Sequence, residues 1–145
     1  LFVDQSYQPS IQSQRYVILR AAREFVREGQ KEKAVELMNT YFKAFPHMNF
    51  PYDYNILPLI MVYIQADAYE EAKPHLEILA RETADWLKFY YSLSMDEMES
   101  GFSQEFALTD RTKDDLISIV KQAKDEAFES ELTTLFAPYA KPEIQ

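Results

Sequence analysis

Cysteine is absent from the 145 residues, and glycine occurs only twice. The first absence excludes disulfides, thiol catalysis and thiolate zinc sites. It leaves cytoplasm and periplasm equally open. The second argues against a β-fold, whose turns, hairpins and bulges call on glycine for backbone angles that other residues avoid. No apolar run approaches the roughly 18 residues of a membrane-spanning helix, and no signal peptide is visible. The chain opens "LFVDQSYQPS" without a methionine, which reads as a piece of a longer protein with any anchor upstream. Positive charge is scarce too. Residues 1–45 hold seven Lys and Arg against five Asp and Glu, and residues 46–145 hold eight against nineteen, for a formal charge of −9. An acidic body repels phosphate backbones, so no nucleic-acid partner is expected.

What is present is apolar and aromatic: 47% hydrophobic residues, with ten Tyr and ten Phe, enough to form a core rather than a disordered chain. A single all-α domain over 1–145 is expected. Residues 1–9 read as an arm, and Ser10 as the cap of a helix to Glu28 with Ile11, Ile18, Ala22 and Phe25 on one stripe. Gly29 ends it. A second helix, Lys31 to Phe45, places Ala34, Leu37, Met38, Tyr41 and Phe42 on one face before Pro46 stops it. A loop over 47–55 leads to "ILPLIMVYIQA", apolar nearly all round and therefore central, with Asp53 or Asn55 as its cap. A fourth helix is expected from Tyr69 to Glu82, kinked at Pro74, and a fifth over 85–100. A linker at "GFSQEFALTD" then precedes a last helix, capped by Thr112 and Asp115, that breaks near Ser130.

Residues 28–34, "EGQKEKA", and 66–72, "ADAYEEA", spell the same hinge 38 residues apart. Two antiparallel helices joined tightly need a residue that tolerates left-handed angles (Gly29, Asp67) and a small residue where the backbones cross (Ala34, Ala72). Phe25 and Tyr63 match before the turn, and Met38 and Leu76 after it. These positions, with Pro46 closing the first copy, resemble the tetratricopeptide repeat. The resemblance implies repeat 1 over 10–46 and repeat 2 over 53–84. A packing helix over 85–101 and capping helices over 111–137 would then seal the stack, since two repeats alone leave an apolar end exposed. Ala84 stands where the second repeat's proline would fall.

The order "FPYDYNILPL" followed by "KFYYSL" resembles the C-terminal segment of a family of bacterial multi-spanning membrane proteins similar to protein O-mannosyltransferase-type glycosyltransferases. The resemblance implies a periplasmic tail after the last membrane span. It carries no catalytic residue of such transferases onto this segment.

Motifs for chemistry are missing: no P-loop, no G-x-G-x-x-G, no H-E-x-x-H and no G-x-S-x-G. His47 has no local partner and His75 has only Glu71 at ligand spacing, so no metal or cofactor site is expected. The carboxylates of "MDEMES" and "KDDL" read as solvated helix faces. By the repeat resemblance, the first helices of the two hairpins would line a groove of Tyr16, Leu19, Arg23, Val26 and Arg27, then Tyr54, Leu57, Met61, Ile64 and Gln65. Arg23 and Arg27, one turn apart beside Tyr16, suit a carboxylate or an extended peptide. The function expected is thus non-catalytic, the binding of a protein or peptide or of the parent protein's own membrane region. The rivals are an enzyme, an all-α hydrolase, or an accessory domain that contacts sugar through "NFPYDY", and a free-standing adaptor.

Overall fold

The computed structural model describes residues 8–140, with side chains from residue 11 onward. The described residues form helices and no strand: α1 (Gln8–Arg27), α2 (Lys31–Ala44), α3 (Leu57–Gln65), α4 (Tyr69–Tyr91), α5 (Met95–Gly101), α6 (Ser103–Gln122) and α7 (Glu126–Phe136), with short 3-10 turns at Tyr54–Ile56 and Ala137–Tyr139. The all-α expectation holds. Of the expected arm, residues 1–7 lie outside the described residues and 8–9 are already helical. Ser10 lies inside α1 rather than capping it, because proline is tolerated in a first turn, where its missing N–H has no intrahelical role.

Three helix ends share one geometry. At the end of α1, Gln30 N–H donates to Phe25 O (2.7 Å) and Gly29 N–H to Val26 O (3.0 Å), with Gly29 at φ 79°. At the end of α3, Ala68 donates to Tyr63 O (2.8 Å) and Asp67 to Ile64 O (3.1 Å), with Asp67 at φ 57°. At the end of α6, Asp125 donates to Val120 O (3.3 Å) and Lys124 to Lys121 O (3.0 Å), with Lys124 at φ 60°. Paired i−5 and i−3 bonds around a left-handed residue satisfy carbonyls that a helix end leaves unpaired. The third hinge corrects the sequence reading: the C-terminal segment breaks at Lys124 and not near Ser130. Asp125 then caps α7 by accepting from Phe128 N–H (3.2 Å).

The chain divides into two compact units, Leu1–Leu76 and Glu77–Gln145, with the division inside α4 and so inside the expected second repeat. In the first unit α1 contacts α2 and α3, and α2 contacts α3. Ala34 and Ala72 are fully buried, as are Met38, Ile60, Val62, Tyr63 and Leu76. A methyl-sized side chain at those alanines lets helix backbones approach closely. Lys31 forms an ion pair with Asp67, which sets the first two hinges side by side.

The second unit departs from the expected elements. The fourth helix does not stop at Glu82. Leu79, Ala80, Thr83, Ala84, Leu87 and Tyr90 make one unbroken buried stripe, so α4 continues through the segment read as the start of a fifth helix. Nor does Pro74 interrupt it. Ser94 instead opens α5, accepting from Glu97 N–H while the Glu97 carboxylate accepts from Ser94 N–H; this is the reciprocal arrangement of a capping box. The expected linker is helical, α6 starting at Ser103. Thr112 is therefore mid-helix and caps nothing.

The core stripe of α6 is polar in its middle: Thr109, Asp110, Thr112 and Lys113 are all buried. Each is satisfied. Thr109 donates its hydroxyl to Glu105 O (2.7 Å) and Thr112 to Leu108 O (2.8 Å). Lys113 Nζ meets Asp110 at 2.9 Å and donates to Tyr139 O at 2.8 Å. Buried polar atoms persist only with such partners.

Candidate functional site

Two clusters in the first unit gather the residues that sequence reasoning singled out. The first is the outer surface of α1. A 20-residue helix that turns Ala22 fully inward must turn Tyr16, Arg20, Arg23 and Arg27 outward. All four are exposed, Tyr16 at 62% and its neighbour Val17 at 64%. The Arg20 guanidinium lies 5.7 Å from the centre of the Tyr16 ring, within cation–π range, and Arg27 pairs with Glu24. Of the other expected groove residues, Gln65 is exposed, and Leu19, Val26, Tyr54, Leu57, Met61 and Ile64 are partly exposed. The surface concavity that α1 forms, about 750 Å³, is lined by Val17, Arg20, Ala21, Arg23, Glu24 and Arg27. It takes in two of the expected residues, Arg23 and Arg27, and none of those on α3. Arg20, which the repeat alignment omits, belongs with them; its one-turn spacing from Tyr16 and Arg23 was the signal.

The second cluster is built round the buried rings of Phe42, Tyr52 and Tyr63. His75 on α4 stacks on Phe42 of α2, with ring centres 3.9 Å apart, and lies parallel to Tyr63 of α3 at 5.7 Å. The Tyr52 hydroxyl shares a hydrogen bond of 2.8 Å with His75 Nδ1, and Tyr52 N–H donates to His47 Nδ1 at 2.9 Å. Tyr63 donates its hydroxyl to Asn39 Oδ1 (2.6 Å), and Arg15 Nε donates to the Tyr41 hydroxyl (2.8 Å). The two histidines thus meet one tyrosine from different segments, a convergence invisible in their sequence spacing.

Burial sets the charge state here. It lowers the pKa of His75 from 6.5 to about 4 and raises that of Tyr52 to about 12, the Tyr41 phenol adding to the rise. Tyr63 is raised further, by burial first and then by Glu71 and Tyr52. Tyr41 is raised by burial, with Arg15 opposing. Near neutral pH, Tyr52 and His75 are therefore both uncharged. An imidazole so hard to protonate is a poor base, and a phenol so hard to ionise is a poor acid and a poor nucleophile. Their geometry suits packing, joining the loop over 47–55 to three helices.

That loop carries the rings on which a sugar would stack. Tyr52 is buried among Phe42, His47 and His75, and Phe50 meets Phe45 edge-on at 5.0 Å. Among the described residues no group of three or more His, Cys, Asp or Glu is placed to hold a metal ion, and no helix is long and apolar enough to cross a membrane. Family models, curated proteins and solved structures yield no match to this chain.

Proposed function

We propose that the chain is a non-catalytic interaction domain whose first unit is built of tetratricopeptide-like hairpins and binds an acidic peptide or protein segment on the basic face of α1. The carrying observation is the exposed stripe of Tyr16, Arg20, Arg23 and Arg27 on a chain whose remainder is acidic. Guanidinium groups one turn apart suit carboxylates, and the exposed Tyr16 and Val17 supply apolar contact beside them. The hairpin reading is supported by the two hinges 38 residues apart with the same hydrogen bonds, by the buried Ala34 and Ala72, and by the Lys31–Asp67 pair. In the wider protein, the resemblance of "FPYDYNILPL" and "KFYYSL" implies a place in the periplasmic tail of a glycosyltransferase-like membrane protein. It would there organise that protein or recruit a partner to it.

Selection from a displayed random-peptide library tests the binding face. Acidic peptides are expected to be enriched on the wild-type chain and lost on the Arg23→Ala/Arg27→Ala variant. Absence of an acidic class, or its survival on the variant, refutes the assignment. The gene upstream of Leu1 tests the setting: a run of hydrophobic spans supports the tail, and a hydrophilic start removes it.

A further inference from the structure

Eight large apolar side chains are exposed among the described residues, and five of them fall between residues 86 and 102: Trp86, Phe89, Tyr91, Met95 and Phe102. Apolar residues scattered singly over a surface need no explanation, whereas a contiguous patch does. These rings are contiguous. Trp86 meets Phe89 at 5.9 Å and Phe89 meets Phe102 at 5.6 Å. Phe106 joins Tyr90 to Tyr91 at 5.8 Å on each side. Trp86 remains 45% exposed despite those contacts. The patch lies wholly in the second unit, at the end of α4, in α5 and at the start of α6.

Its relief and its rim point to one kind of occupant. The Trp86–Phe89 and Phe89–Phe102 planes cross at 81° and 87°, so the surface is ridged, with notches between edge-to-face rings. Aliphatic side chains fill such notches; a sugar stacks on a flat, open ring face. The rim is acidic. Asp85 lies one turn before Phe89 on α4, Asp96 and Glu99 flank Met95 and Met98 on α5, and Glu105 follows Phe102 by one turn on α6. All four are exposed, and Lys88 is the one exposed cation in the same stretch. The Glu97 carboxylate is engaged in the Ser94 cap.

We propose that this face docks a basic amphipathic helix, whose aliphatic stripe enters the notches and whose Lys and Arg reach the acidic rim. The surface is opposite in charge to the α1 stripe and stands independently of it.

Trp86 is the only tryptophan of the chain, so its emission reports on the patch alone. The probe is a synthetic Lys/Leu amphipathic peptide of about 18 residues, five turns of helix, added to the whole 145-residue chain. Binding is expected to shift Trp86 emission to shorter wavelength and to reduce its quenching by acrylamide. Affinity is expected to fall about tenfold between low and physiological salt, as rim charges are screened. Asp96→Lys/Glu99→Lys, on an exposed helix outside the core, is expected to weaken binding by about tenfold while the circular dichroism stays unchanged. Four results overturn the proposal. These are no response of Trp86 to the peptide, equal binding of a scrambled peptide that is not amphipathic, unchanged affinity in the charge-reversed variant, or a larger Trp86 response to maltoheptaose or phosphatidylcholine vesicles.

Discussion

Acidification should destabilise the protein through one side chain, and the size of the effect follows from the packing of His75. Its pKa is about 4 in the folded chain and 6.5 without that environment. Above pH 6.5 both states hold it neutral and it adds no pH dependence. Below pH 6.5 the unfolded chain binds the proton first, so stability falls as pH drops towards 4 and levels off beyond it. The full difference is equivalent to about 3 kcal/mol. His75 is only half-buried, so water screens part of this, and about 1–2 kcal/mol is the expected loss. His75→Phe removes the titration while keeping a ring against Phe42 and Tyr63. Near neutral pH the variant should be less stable by about 1 kcal/mol, because the buried Tyr52 hydroxyl loses its partner. Between pH 6.5 and 4 it should lose less stability than the wild type, so the gap closes or reverses. Urea denaturation of both proteins across that range isolates the term, since other titrating groups are common to both. Parallel curves at every pH would refute the placement of His75 in a desolvated pocket.

The hinges and the helix crossings give sharper stability tests. Gly29 sits at φ 79° with nothing within 4 Å of a methyl group placed there, so Gly29→Ala measures backbone strain without a clash and should cost about 1 kcal/mol. Lys124→Gly, at φ 60°, should gain up to about 1 kcal/mol, offset in part by the freer unfolded chain; thermal melts of opposite sign check the pair. Ala34→Leu and Ala72→Leu force a larger side chain into a closed crossing and should each cost about 1–3 kcal/mol, and an unchanged urea midpoint for either would place that alanine away from the contact.

How much of this was legible in the sequence depended on which residues carry each feature. The first unit announced itself because its core positions are apolar and its turn residues are of the customary types, Gly29 and Asp67. The second unit hid its core. In α6 the buried stripe runs through Thr109, Asp110, Thr112 and Lys113, which read as polar surface, so half the helix looked like a linker. The third hinge places lysine at a left-handed position that usually signals itself by glycine or asparagine. The residues before it, Gln122 and Ala123, do repeat Gln65 and Ala66 ahead of Asp67. The break between α4 and α5 was misplaced because Ala84 and Asp85 interrupt the pattern of long side chains without ending the helix. Of the α1 surface, Arg23 and Arg27 were legible from spacing, and Arg20 was missed. The meeting of His47 and His75 at Tyr52 depends on how the loop folds back between α2 and α4, which no local pattern encodes.

The basic face of α1 as a binding surface is the central functional claim, and one affinity comparison tests it directly. An acidic peptide selected on the wild-type chain is titrated against wild type, Arg23→Glu/Arg27→Glu and a Lys88→Glu control in the second unit. Loss of affinity of about tenfold or more in the α1 variant, with the control unchanged, is the predicted result. Equal affinity for all three would contradict it.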